Sequence, residues 1–106
     1  MALTRDFKDT VRARALRDPK FRLALIEEAI ESLIDGDLDG GRSILGDYIK
    51  ATIGYPALAQ LTGKDTKSLI RMLGPGGNPT SRNLLQILRH VQEQEGVEVE
   101  VRVRHV

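Results

Sequence analysis

Apolar residues recur at helical spacing along most of the chain. Ile26, Ala29, Ile30, Leu33 and Ile34 form one stripe, which predicts an amphipathic helix. Asp18 is placed to cap its start, with Pro19 at the first helical position. Asp35-Gly36-Asp37 predicts its end. A weaker apolar pattern predicts a helix before it, ending near Leu16. A third helix is expected from about Arg42 to Thr52, with Leu45, Tyr48 and Ile49 on one face. Gly54-Tyr55-Pro56 breaks the pattern. Two short helices follow, roughly Pro56 to Leu61 and Thr66 to Leu73. The run Gly74-Pro75-Gly76-Gly77-Asn78-Pro79 is a loop. Thr80 then caps a helix carrying Leu84, Ile87, Leu88 and Val91, which Gly96 stops. From Val97 to Val103 the period changes to two, valine against charge, which predicts a strand.

The expected fold is mainly α, five to six helices with one C-terminal β-strand. Its parts are a helical N-terminal extension (residues 1–41), a helical core (42–96) and a terminal strand (97–106). A chain of 106 residues, 41% hydrophobic and 29% charged, has room for one such domain with a real core. It has no cysteine, which excludes disulfides, thiol catalysis and a cysteine zinc site. No stretch has the length and apolarity of a membrane span or a signal peptide. A cytoplasmic protein that makes no use of a membrane is expected.

Two short helices joined by a tight turn make three local demands. The first needs a small residue where the second crosses it, and Ala59 fits. The turn needs a residue that accepts a left-handed backbone, and Gly63 fits. The second helix needs inward apolar residues, here Leu69 and Met72, with Leu58 and Leu61 completing the small core. These are the spacings of a helix-turn-helix unit. Asp65 is placed to cap the second helix, accepting from the N–H of Lys67 or Ser68.

Residues 58–88, LAQLTGKDTKSLIRMLGPGGNPTSRNLLQIL, resemble lambda-repressor-like helix-turn-helix proteins, above all the antitoxin-like regulators described as probable addiction-module antidote proteins. The pieces that carry the likeness are Leu58-Ala59 with Thr62-Gly63, Lys67-Ser68-Leu69 with Arg71-Met72-Leu73, Gly77-Asn78-Pro79-Thr80, and Asn83-Leu84-Leu85. The likeness extends over about residues 42–103. The residue after the turn glycine is commonly apolar in that family and is Lys64 here, which puts a charge near a possible phosphate.

The resemblance implies a lambda-repressor-like fold whose second short helix enters the major groove of double-stranded DNA. Thr66 and Lys67 occupy its first turn and Arg71 shares the face of Lys67. Lys67 or Arg71 can donate to guanine O6 and N7, and Lys67 serves a phosphate equally well. Thr66 can bond a base edge or touch a thymine methyl. Lys64 and Ser68 complete this DNA-binding group. Asn78, Thr80, Ser81 and Arg82 surround the start of the next helix, where free backbone N–H groups and a cation suit a phosphate. The implied function is that of a sequence-specific transcriptional regulator, an antitoxin-like repressor at its own promoter that blocks polymerase sterically, with a cognate toxin as a further partner. The alternative is an interaction module that neutralises a basic partner.

The net charge of +1 hides a segregated pattern. Residues 1–22 carry seven Lys/Arg against three Asp, residues 27–47 carry seven acids against Arg42, and residues 64–89 carry five bases against Asp65. Such segregation permits a phosphate-binding face apart from an acidic one. Other chemistry lacks its residues. His90 and His105, the two histidines, stand apart from any ligand set, and Gly63-Lys64 lacks the preceding glycine of a phosphate loop. No nucleophile–base pair is recognisable. An enzyme, a metal and a cofactor are not expected.

The final expectation is a homodimer built on Glu98, Val99, Glu100, Val101, Arg102, Val103 and Arg104. A lone strand needs a partner, and the helical remainder supplies none. Two copies of this strand pair antiparallel, with their valines on the helices near Leu84, Leu88 and Val91; otherwise the tail folds back on its own domain or frays.

Overall fold

A computed structural model describes residues 5–106, with side chains from Phe7 onward. Six α-helices follow one another: α1 Arg5–Arg17, α2 Pro19–Ile34, α3 Leu38–Ala51, α4 Tyr55–Thr62, α5 Thr66–Leu73 and α6 Ser81–Glu95. The caps explain the boundaries. Asp18 accepts from the Phe21 N–H at 3.2 Å, with Pro19 behind it. Thr80 Oγ1 accepts from the Asn83 N–H at 3.1 Å, and Gly96 closes α6 at φ 69°. Each cap satisfies a backbone N–H that the helix itself leaves free.

The third helix begins four residues before the expected start at Arg42. Asp37 accepts from the Gly40 N–H at 2.9 Å, and this cap carries the helix through the Gly40-Gly41 pair despite the low helical propensity of glycine. The expected division between residues 41 and 42 therefore falls inside α3. Ala15, Leu25, Ile26 and Ala29 from the first two helices share one buried core with Leu45, Tyr48, Ile49, Leu58, Leu69, Leu73, Ile87 and Val91. Helix α3 is the hub. It packs along α2 and also meets α1 and α5, while α4 bridges α5 and α6.

At the turn between α4 and α5, Gly63 has φ 70°, as its place in the sequence requires. The Lys64 N–H donates to Ala59 O at 3.2 Å, so a carbonyl at the end of α4 is satisfied as the chain turns. Asp65 then accepts from the Ser68 N–H at 3.2 Å. Two of the expected core contacts differ. Leu61 is 45% exposed, because the inward stripe of α4 runs through Tyr55, Leu58 and Ala59, and a residue three beyond Leu58 lies outside it. Met72 sits at the edge of the core, and Leu73, four residues after Leu69, takes the fully inward place.

Residues 97–106 form no strand in the single chain. A ladder needs a second strand, and the described residues include none. The tail is nevertheless anchored at its start. Val97 and Val99 are half-buried and the glutamates between and after them exposed. Val99 packs on the core, and the tail lies beside Leu23, Ile26, Ile30 and Ile34 of α2. The core on which Val99 packs includes Val91, with Leu84 and Leu88 packed against the same core, and the groove beside the tail is walled by the apolar edge of α2.

One polar cluster ties both ends of the helical array together. Arg22 holds Glu95 with two bonds, Nε to Oε1 at 2.8 Å and Nη2 to Oε2 at 3.3 Å. Its Nη1 donates to Ala15 O at 3.0 Å, at the end of α1. The Tyr48 hydroxyl donates to Glu95 Oε1 at 2.6 Å. Burial alone would raise the Glu95 carboxyl, but the hydrogen bonds from Arg22 and Tyr48 and the charge of Arg22 outweigh it and hold the group below its ordinary range. Burial, followed by the bond to Glu95, pushes the Tyr48 phenol well above its ordinary range.

These shifts set a pH window. The contribution of Glu95 is present above the ordinary value of 4.5 and is lost as pH falls through the lowered folded value. That of Tyr48 is complete below 10.0 and drains away above it. Thermal unfolding across pH should show a plateau with both limbs. Glu95→Gln should flatten the acid limb and Tyr48→Phe the alkaline one. Gly63→Val, which forces a branched side chain to positive φ, should destabilise the fold by about 1–3 kcal/mol, read as a lowered Tm.

Candidate nucleic-acid interface

Helix α5 is eight residues long, and its inward face is Leu69 and Leu73. At about 100° per residue, Lys67 and Arg71 fall together on the opposite face, and both are exposed. Ile70 lies beside them and is 46% exposed. Lys64, Thr66 and Ser68 are half-buried. The first turn of α5 is capped by Asp65, so the direction of the helix is fixed where it leaves the turn.

The loop after α5 is held tightly. The Gly77 N–H donates to Gly74 O at 3.0 Å. A Cβ on Gly77 would fall on the carbonyl oxygens of Arg71 and Met72. Only glycine lets the chain lie this close over the end of α5. The loop then delivers Asn78, Thr80, Ser81 and Arg82, all exposed, to the start of α6. No hydrogen bond or ion pair links this second group to Lys67 or Arg71. The N–H groups of Ser81 and Arg82 stay free of the Thr80 cap, which serves Asn83.

Charge pairing distinguishes these cations from several others. In the first half of the chain five bases are tied down: Lys8 to Asp47 at 3.9 Å, Arg12 to Asp9 at 3.7 Å, Arg14 to Asp18 at 3.6 Å, Arg22 to Glu95, and Arg42 to Asp39; Arg17, Lys20 and Lys50 make no ion pair among the described residues. Lys64, Lys67, Arg71 and Arg82 make no ion pair among the described residues. Arg89, further along α6, is held by Glu93 at 3.1 Å. Lys8, Arg12, Arg14 and Arg22 are therefore neutralised in place, while the cations of residues 64–82, like Arg17 and Lys20, are free.

Two features escape a reading of the sequence. Ile70 gives the exposed face of α5 an apolar element beside its two cations; its spacing of three from Lys67 is the signal that identifies it. Arg42 is 3% exposed, an arginine that the stretch of acids around it makes look like surface. It is bonded to Asp39, and its Nε has no hydrogen-bond partner. It lines a cavity of about 500 Å³ behind α5, together with Lys50, Tyr55, Ile70 and Leu73. Burial, with the nearby charge of Asp47, raises the Tyr55 phenol.

No group of three or more His, Cys, Asp or Glu side chains that could hold a metal ion occurs among the described residues. None of their helices is long and apolar enough to cross a membrane. No protein-family model matches the sequence, and no curated protein or solved structure matches it either.

Proposed function

We propose that this chain is a sequence-specific DNA-binding transcriptional regulator, a lambda-repressor-like helix-turn-helix protein that acts in the cytoplasm as an antitoxin-like autorepressor. The observation that carries the reading is the outward face of α5. Lys67 and Arg71 stand one turn apart on a short helix, exposed and free of ion pairs, while the opposite face is locked into the core by Leu69 and Leu73. A helix held this way is a rigid presenter of donors, and the major groove is where an arginine fork meets the paired acceptors of guanine. Ile70 offers the apolar contact that a thymine methyl takes.

In this reading Arg71 reads a base, Lys67 a base or a phosphate, and Thr66 a base edge from the first turn. Arg82 and the free N–H groups at the start of α6 hold a phosphate. Lys64 and Ser68, half-buried, contribute phosphate contacts at the rim, as do Asn78, Thr80 and Ser81. A homodimer presents two copies of α5 to the two halves of a palindromic operator and excludes polymerase by occupying the site.

A second reading rests on α2. Glu27, Glu28 and Glu31 are exposed there and make no ion pair among the described residues, beside an Ile34 that is 73% exposed. That face suits a basic protein such as a toxin. This face lies apart from the exposed face of α5, but Glu27, Glu31 and Ile34 also line the groove beside the tail, so a partner bound there competes with pairing through the tail.

The test is DNA binding to selected operator sequences at two salt concentrations. Arg71→Ala should cost about 1–3 kcal/mol at the preferred site and relax the base preference at one position. Arg82→Ala should weaken all sequences alike and reduce the salt slope by about one unit. Parental behaviour in both variants would remove α5 and the start of α6 from the DNA face.

A further inference from the structure

The C-terminal tail has a free edge whose chemistry selects its own partner. In an extended chain the backbone N–H and C=O of successive residues point to opposite edges, as their side chains point to opposite faces. Two backbone N–H groups of the tail are bonded. Val97 N–H donates to Gln92 O at 3.0 Å, and Val99 N–H donates to Gln92 Oε1 at 2.9 Å. Both are odd-numbered, so one edge of the tail is turned toward the end of α6. Continued as an extended chain, the tail carries on its other edge the N–H and C=O of Glu98, Glu100, Arg102 and Arg104, and those N–H groups make no hydrogen bond among the described residues.

We infer that two copies of this chain pair through that edge, antiparallel, about a two-fold axis at Val101. Two independent features select this register. The first is the backbone. Directly opposed residues that exchange both bonds must each face the partner, so even residues must oppose even residues, which forbids a slip of one. The second is charge. With the axis at Val101, Glu100 opposes the partner's Arg102 and Glu98 opposes the partner's Arg104, and the symmetry repeats both pairs. A slip of two in one direction sets Glu100 against its own copy, and in the other Arg102 against its own copy. Like charges directly opposed destabilise a sheet and unlike charges support it, so one register has only favourable pairs.

The valine faces of both strands then lie on the same side of the ribbon. In the single chain Val101 is 75% and Val103 94% exposed. A groove of about 630 Å³ runs between the tail and α2, with Leu23, Ile30 and Ile34 on its helical wall. The partner's Val103 opposes Val99, which already packs on the core, and it is carried over that groove. Exposed apolar surface on both elements is covered in one step. The inference deepens the dimer of the proposed function by naming its surface and register. Because its test reads mass in solution, a failure here and a failure to bind DNA are separate results.

The experiment swaps charge signs and mixes the products. Arg102→Glu with Arg104→Glu makes the free edge wholly acidic, and Glu98→Arg with Glu100→Arg makes it wholly basic. Light scattering of the parent should give a dimer. Each double variant alone should dissociate with a constant raised about tenfold or more, while circular dichroism reports unchanged helix content. Mixed one to one, the two variants should form a heterodimer as tight as the parent dimer. Should a double variant lose helix content, the single swaps Glu100→Arg and Arg102→Glu, alone and mixed, read the same contrast. A monomeric parent at high concentration, a variant that dimerises alone like the parent, or a mixture that stays monomeric would each overturn the inference.

Discussion

Glu95 is an acid placed where an acid is costly, and the helices are arranged around satisfying it. Its two oxygens take three hydrogen bonds, two from Arg22 at the start of α2 and one from Tyr48 on the hub helix α3. Arg22 spends its remaining nitrogen on Ala15 O, at the end of α1. Four helices thus meet at one carboxylate. An isolated charge at this depth would be unfavourable, so the tie constrains where α6 ends relative to α1 and α2. That end position matters twice. It orients α6, whose first turn carries Arg82, and it places Gln92, whose carbonyl and side chain hold the start of the tail.

Local constraints were the legible ones. Asp18, Asp65 and Thr80 cap the helices they precede, and Gly63 takes the positive φ expected of it. Each is settled within four residues, where spacing alone specifies the geometry. The start of α3 escaped because two glycines argue against a helix while a single aspartate argues for one, and the cap wins. The choice between Leu61 and Tyr55, or Met72 and Leu73, depends on how α4 and α5 are rotated against α3 and α6. That rotation is a tertiary matter and no periodicity of an eight-residue helix resolves it. The Arg22–Glu95 pair spans 73 positions, and neither residue stands out among its neighbours.

The candidate site shows the same division. That Lys67 and Arg71 share a face follows from helical geometry, and their exposure follows from Leu69 and Leu73 pointing inward. What the sequence does not contain is which cations are already spent. Residues 1–22 are as basic as residues 64–89 when counted, yet four of their bases meet Asp9, Asp18, Asp47 and Glu95 in the fold. Counting charge along a chain overstates a basic face wherever the fold brings acids to it. Of the free cations, Lys67 and Arg71 lie on the one helix bounded by the turn at Gly63 and the loop at Gly77, with Lys64 just before it and Arg82 just after that loop.

The tail extends the argument from what the fold satisfies to what it leaves open. The helix ends described above are closed within the chain by a side-chain cap, a turn or a glycine, even where, as at Ser81 and Arg82, single N–H groups stay free. The segment after Gly96 is not. Gln92 holds one edge of it, and α2 accepts Val99, but the opposite edge keeps its donors unpaired and the valines beyond 99 stand in water. Alternation of valine with charge is a sequence of high strand propensity, and such an edge invites pairing with any chain that presents another. Its charges restrict that choice. Two acids followed by two bases are complementary to the same segment read in reverse, and this complementarity is what the proposed pairing of two copies rests on.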